Sequence, residues 1–219
     1  MYLAITTRPD IAYATGRLTS FMDCYQPKHW ATAIHVLHYL KGTRLYSLTL
    51  GGQNSLSLLG YSDSDYTNCI DTSRSIGGYC FTLGSGMVSW SLWKQATVAD
   101  SSCYAKYMAL HDATHEAIFL QQLLEGLHLL PSSPTRLFCN NDAASRLMED
   151  HVWHSHTKHI HVKYHFTREQ VLAGELVVTH VSSKENTANI FTKPLSKVDF
   201  QRLRHYLGIS ANCGTECSA

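Results

Sequence analysis

The order in which the apolar residues change their period constrains this chain most. Between residues 45 and 92 the runs LYSLTL, SLSLLGYSD, GGYCFTLG and MVSWSL are short, alternating or apolar, and broken by glycine. Such runs read as strands, and Gly84 and Gly86 predict a hairpin between the last two. From Ser101 to Leu127 the period becomes helical, with Tyr104, Met108, Ala109, Ile118 and Leu123 recurring in steps of three and four until Pro131 and Pro134 interrupt it. Beyond lie a strand at 136–140, a short helix through Leu147, a His-rich helical stretch to Leu172, a strand at 175–181, and helical pieces around Ile190 and Leu203. Short strands, helix, strand, helix, strand, helix predict an α/β sheet that begins as an antiparallel meander. Its functional groups are expected at strand ends and helix starts, where side chains can converge.

Two amphipathic helices precede the strands. Pro9 and Asp10 open a segment carrying Ile11, Ala14, Leu18 and Met22, with proline in the first turn, where a missing N–H costs nothing. The second begins at Pro27, carries Trp30, Ile34, Leu37 and Leu40 on one face, and stops at Gly42. Together they predict an N-terminal helical hairpin.

Composition narrows the function classes only mildly. A chain of 219 residues at 44% hydrophobic can bury a full core. The formal charge of +1, from 18 basic and 17 acidic residues, supplies no global field toward nucleic acid, so such contact has to come from local patches. Seven cysteines without a C-x-x-C pair, only Cys213 and Cys217 lying close, favour a reduced intracellular chain, cytoplasmic or nuclear. MYLAITTRPD lacks a basic head before an apolar run, and no stretch approaches the ~20 apolar residues of a membrane span, so neither secretion nor membrane insertion is expected.

Seven segments, in order, carry a family resemblance. TRPDIAYATGRL, HWATAIHVLHYLKGT, GYSDSDY, RSIGGYCF, SWSLWKQ, HSHTKHIHVKYHF and ANIFTKPL resemble the end of the polymerase polyprotein of Ty1/copia retrotransposons, over residues 3–207. The resemblance implies reverse-transcriptase tail or connection helices at 1–44, a ribonuclease H-like domain at 45–207 with a mixed sheet (three antiparallel strands, then parallel ones) flanked by helices, and a flexible tail at 208–219. The polymerase palm with its YxDD-type aspartates and the integrase are missing from this sequence, so neither polymerisation nor integration is expected.

By the same resemblance, the ancestral activity cuts the RNA strand of an RNA–DNA hybrid using two magnesium ions held by three aspartates and one glutamate. Magnesium wants charged oxygen ligands at ~2.0–2.1 Å, and a metal pair ~3.5–4 Å apart clamps the attacking and leaving oxygens in line. Asp63 in YSD matches the first aspartate, whereas Lys106 in YAKY stands in place of the glutamate, and Asn140 in FCNN and Asn189 in TANIF in place of the remaining aspartates. Four carboxylates would carry four negative charges; these four side chains sum to zero. One unit charge at ~4 Å contributes about 4 kcal/mol at an effective dielectric near 20, so magnesium binding and hydrolysis are expected to be negligible and no cofactor is expected. Two alternatives stand beside this reading: a non-catalytic module that grips hybrid or a protein partner, and an active enzyme rebuilt around Asp65, Asp142 or Glu185. The partners implied are an RNA–DNA hybrid and the rest of the polyprotein.

Lys106 reads either as a solvated helix lysine or as the ion-pair partner of Asp63, its amine filling the space of a lost cation. Lys158, His159, Lys163 and Arg168 form a basic face suited to phosphates, though surface solvation explains it as well. His161 and His165 lie one helical turn apart and could share zinc, but no cysteine is spaced to complete a site. Lys193, Lys197, Arg202 and Arg204 bias the C-terminal region toward nucleic acid or toward solubility. Trp90 and Trp93 read as packing, not as platforms for bases.

Overall fold

Alternation along GGYCFTL sends Cys80 to one face of a sheet and Phe81 to the other, and different helices bury the two faces. The computed structural model describes residues 1–51, 57–67, 72–129, 133–140 and 158–211, the side chains of 158–164 excepted. Its strands are β1 (Tyr46–Leu48), β2 (Leu58–Asp65), β3 (Ile76–Leu83), β4 (Gly86–Lys94), β5 (Thr135–Cys139), β6 (Leu176–His180) and β7 (Ile209–Ala211). Its helices are α1 (Tyr2–Thr6), α2 (Ala12–Thr19), α3 (Pro27–Gly42), α4 (Ser102–Gly126), α5 (Lys158–Leu172), α6 (Asn189–Thr192) and α7 (Lys197–Tyr206).

Five strands form the main sheet in the order β4-β3-β2-β5-β6. β2, β3 and β4 are antiparallel, and β5 and β6 extend the sheet in parallel with β2. On one face α4 packs Tyr107, Leu110, Ala113, Ala117, Leu120 and Leu124 against Leu58, Phe81, Leu137 and Leu176. The helix starts where the sequence predicts, because the Ser101 hydroxyl accepts the Tyr104 N–H at 3.1 Å. On the other face Cys80 and Met87 meet Ile190, Phe191 and Leu203 from the C-terminal helices, and Ala4, Ile11 and Ala12 from the N-terminal ones.

A buried polar knot joins those two sets of helices. Asp10 is 4% exposed. It accepts from Arg8 through both oxygens, at 2.9 and 2.8 Å, and from the Tyr39 hydroxyl at 2.6 Å. Arg8 also donates to the Thr43 hydroxyl at 2.8 Å, which ties the end of α3 back to the start of the chain. Arg204 of α7 donates to the Tyr39 hydroxyl at 3.1 Å and lies 4.5 Å over the Tyr46 ring. Burial of this cluster pushes the Tyr39 phenol up to about 12.

Two expectations need correction. The first alternating run does not open the meander: β1 pairs antiparallel with β7, apart from the main sheet. The segment expected as a tail from 208 is therefore ordered through Ala211, with Ile209 buried and Gly208 turning the chain at φ 81°. The physical reason is that Leu207 and Ile209 complete the second apolar cluster, and the Thr49 N–H finds the Gly208 carbonyl at 2.9 Å. Residues 212–219, with Cys213 and Cys217, and the short helix expected through Leu147 lie outside the described residues.

Candidate functional site

Parallel pairing of β2 with β5 brings their C-terminal ends side by side, with Ser62 opposite Cys139. Asp63 and Asn140, the residues that follow this pair, are thus neighbours at the C-terminal ends of two interior strands. The N-terminal part of α4 supplies Lys106 to those strand ends, and the start of α6 supplies Asn189. Two buried amides hold these pieces together. Asn186 donates to the Ser62 carbonyl at 2.9 Å while its Oδ1 accepts the Ala188 N–H at 3.0 Å, anchoring the approach to α6 on β2. Gln95 donates to the Ala105 carbonyl at 2.8 Å and to the Ser64 hydroxyl at 3.4 Å, anchoring the start of α4 on the same strand.

Gly78 faces Asp63 across the β2–β3 ladder and lets α6 settle on the sheet. A Cβ at Gly78 would stand 3.0 Å from Phe191 Cβ and 3.1 Å from Thr192 Cγ2. Bare backbone there allows the Thr192 hydroxyl to donate to Asp63 Oδ2 at 2.5 Å.

A single chain of polar contacts joins all four positions of the expected carboxylate tetrad. The Lys106 ammonium donates to the Asn140 carbonyl at 3.4 Å, and the Asn140 side chain donates to the Ser183 hydroxyl at 3.4 Å. The Asn189 side chain donates to the Ser183 carbonyl, and its Oδ1 accepts the Lys193 ammonium at 2.9 Å. The same ammonium lies 3.0 Å from Asp63 Oδ2. Asp63 has no exposed side-chain surface, whereas the Lys193 side chain is 27% exposed. Asp63 Oδ1 and Asn140 Oδ1 are buried and accept no hydrogen bond from the described residues.

The cation paired with Asp63 is therefore Lys193, and Lys106 meets neither of its two readings: half-buried, it caps the end of β5. Asn189 and Lys193 are one helical turn apart, and that spacing within ANIFTKPL was the available signal for a role that the basic-bias reading missed. Ser183, Thr192, Asn186 and Gln95 carry no sequence signal of their own, because the contacts that place them here, to Asn140, Asp63, Ser62 and Ser64, come from far away in the chain. Two other members of the basic group also turn inward. Arg202 donates to the Lys184 carbonyl at 2.8 Å and to Asp199 at 3.0 Å, and Arg204 belongs to the Tyr39 knot; Lys197 is exposed.

Of the alternative ligands, Asp65 is half-buried at the end of β2, and Glu185 accepts the Ser182 hydroxyl at 2.9 Å within its own exposed turn. Asp142 lies outside the described residues, as do the side chains of Lys158, His159, His161 and Lys163 on α5. Arg168 and His165 are half-buried on that helix. Trp90 donates to the Ala4 carbonyl at 2.8 Å and Trp93 lies 5.5 Å from the Tyr79 ring, so both serve packing.

The strand order and directions, with helices on both faces, define a ribonuclease H-like α/β fold. No protein-family model matches the chain. It is 40% identical over 208 residues to the retrovirus-related Pol polyprotein from transposon RE2 of Arabidopsis thaliana, covering 95% of this chain and 14% of that one. It is also 45% identical over 120 residues to secreted RxLR effector protein 161 of Plasmopara viticola, covering 55% of this chain and 84% of the other. Among solved structures, LC11-RNase H1 in complex with RNA/DNA hybrid covers 62% of this chain and 94% of its own, at a TM-score of 0.47 and 17% identity. A likeness that loose adds nothing to the strand order. The chain belongs to the retrovirus-related Pol polyproteins of copia-like transposons, as a ribonuclease H-like segment, and it spans about 14% of the length of the RE2 polyprotein.

Proposed function

We propose that this segment descends from a nuclease cutting the RNA strand of RNA–DNA hybrids and has lost hydrolysis. The observation that carries the reading is the occupant of Asp63: a lysine ammonium 3.0 Å from Oδ2, with Asn140 and Asn189 at the neighbouring positions. These residues do not fit a pair of divalent cations. Two hard ions need several anionic oxygens between them, and the polar chain contains one carboxylate and two ammonium groups. Two amide carbonyls cannot offset that deficit, since each carries only a dipole.

Incubation of the purified chain with a labelled RNA–DNA hybrid in magnesium or manganese is expected to leave the RNA intact. The combined variant Lys106→Glu/Asn140→Asp/Asn189→Asp, which returns carboxylates to three positions along the chain of contacts, is expected to gain metal-dependent cleavage. Cleavage by the unaltered chain would mean that the site works through a ligand set other than the inherited one.

A further inference from the structure

We infer that the free edge of β4 is a docking site for an extended peptide, acidic at one end, that joins the main sheet as a further strand. The inference does not rest on the loss of hydrolysis, since β4 lies two strands away from β2 and Asp63. β4 ends the sheet and pairs with β3 alone. Phe81 pairs with Ser89 and Thr82 with Met87, so Val88 is the extra residue of a bulge and Ser89–Lys94 form a regular edge. Every second residue there turns its N–H and C=O away from β3. Among the described residues no backbone group pairs with them. Proline and charge, which commonly keep an edge from recruiting another strand, are absent from SWSLW at 89–93, and Lys94 comes only at its end.

The edge lies along a groove. Trp90, Ser91, Leu92, Trp93 and Lys94 all line one cavity of about 420 Å³, although successive side chains alternate between the two faces, so the cavity follows the edge itself. A second cavity of about 420 Å³ shares Ile5 and Trp90 with the first and prolongs it past Met87 to Leu48 and Leu50. The helices that wall the groove are anchored to its floor. The Trp90 indole donates to the Ala4 carbonyl at 2.8 Å, and α2 closes on the Leu92 side chain at Gly16, where a Cβ would clash.

These walls fix the chemistry of the occupant. An added strand places alternate side chains on the two faces of the sheet. On one face they meet Trp90 and Leu92 of the second apolar cluster, and Ile5, which is 65% exposed. On the other they meet Ser89 and Ser91, the former bound to Glu116 at 2.6 Å. Alternating valine and threonine suit the two faces. Charge distinguishes the ends: Arg17 and Lys94 line the larger cavity, and among the described residues no carboxylate lines either cavity or pairs with these two cations. Glutamate at that end of a peptide supplies the missing charge. A second copy of the chain would bring the same two cations and no carboxylate.

Fluorescence anisotropy of the dye-labelled peptide Glu-Glu-Val-Thr-Val-Thr-Val, titrated with the full chain, tests this. Saturable binding with a dissociation constant on the order of 0.1 mM is expected. N-methylation of one alternate set of peptide amides should weaken binding by more than ~10-fold and of the other set far less, because only one set faces β4. The variant Arg17→Glu/Lys94→Glu, its fold checked by circular dichroism, should lose more than ~5-fold for this peptide and bind Lys-Lys-Val-Thr-Val-Thr-Val in its place. Amide exchange should slow within Ser89–Lys94 of the complex. The inference is overturned by no saturable binding up to about 1 mM, by equal effects of the two N-methylated sets, by indifference to charge reversal, or by protection that spares β4. Dimerisation of the chain with β4 protected in the absence of peptide would give the edge to a second copy and overturn it as well. The N-methylated peptides leave the chain unaltered, so the test stands even where the double variant does not fold.

Discussion

Lys193 on the end of α6 neutralises Asp63 on β2 across 3.0 Å, although 130 residues separate them in the chain. The contact couples a strand of the central sheet to a helix docked on its second face, so the charge balance of the site and the seating of α6 are one problem. The other inward-turned basic residues do the same at a distance: Arg204 binds the N-terminal helices and Arg202 the turn before α6.

Breaking that pair from either side leaves an uncompensated charge. Lys193→Met is expected to lower stability by about 3 kcal/mol, the lower end for a buried pair because the lysine is partly exposed. Asp63→Asn/Lys193→Met should cost clearly less than the two single changes added together, with a coupling above about 1 kcal/mol. Urea denaturation in chelator measures the cycle, and simple additivity would show that the contact contributes nothing.

Asp10 sits at the centre of the knot between Arg8, Tyr39 and Arg204. Asp10→Ala removes the acceptor from two donors and leaves the Arg8 guanidinium, itself 7% exposed, unpaired. A loss of about 3–5 kcal/mol follows. Because residues 4–12 share an apolar cluster with residues 188–209, unfolding should remain one transition by fluorescence and by circular dichroism.

Gly78 sets the depth at which α6 lies. Gly78→Val would drive a branched side chain into Phe191 and Thr192, and a cost of about 2–3 kcal/mol is expected from overpacking. Amide exchange in α6 should accelerate more than in β5, whose contacts the change does not touch.

Alkaline pH should weaken the fold through its buried phenols. Burial raises Tyr39 to about 12 and also raises Tyr61, Tyr79 and Tyr104, from an ordinary value of 10.0. A raised phenol favours folding fully below the unfolded pKa, so stability should be complete below pH 10 and fall as pH rises from 10 toward 12. Tyr39→Phe should make that decline shallower, by an amount on the order of 1–2 kcal/mol over the range. Urea denaturation at successive pH values reads the slope.

Periodicity made most of the fold legible before any coordinates. The helix from Pro27 to Gly42 and the long helix after Ser101 both carry terminal signals, and local signals of that kind decide helix ends; the apolar face read on the first is only partly used, since Trp30 and Leu37 stay exposed while Val36, Tyr39 and Leu40 pack. The role of residues 45–50 was not legible, because alternation marks a strand without naming its partner, and the partner lies at residues 209–211. The same limit governed the site. Motifs proposed four tetrad positions, yet that Lys193 and not Lys106 meets Asp63 depends on how α4 and α6 sit on the sheet. Lys106 is drawn to the carbonyl that ends β5, while Lys193 follows Asn189 by one turn and reaches the carboxylate from the other side.

The most direct test of the central claim is a manganese titration of the unaltered chain, followed by electron paramagnetic resonance of the free ion. The signal should grow in proportion to added metal, as it does without protein, because a lysine ammonium already occupies Asp63. Quenching of that signal by an equivalent or more of bound manganese, abolished in Asp63→Asn, would contradict the account.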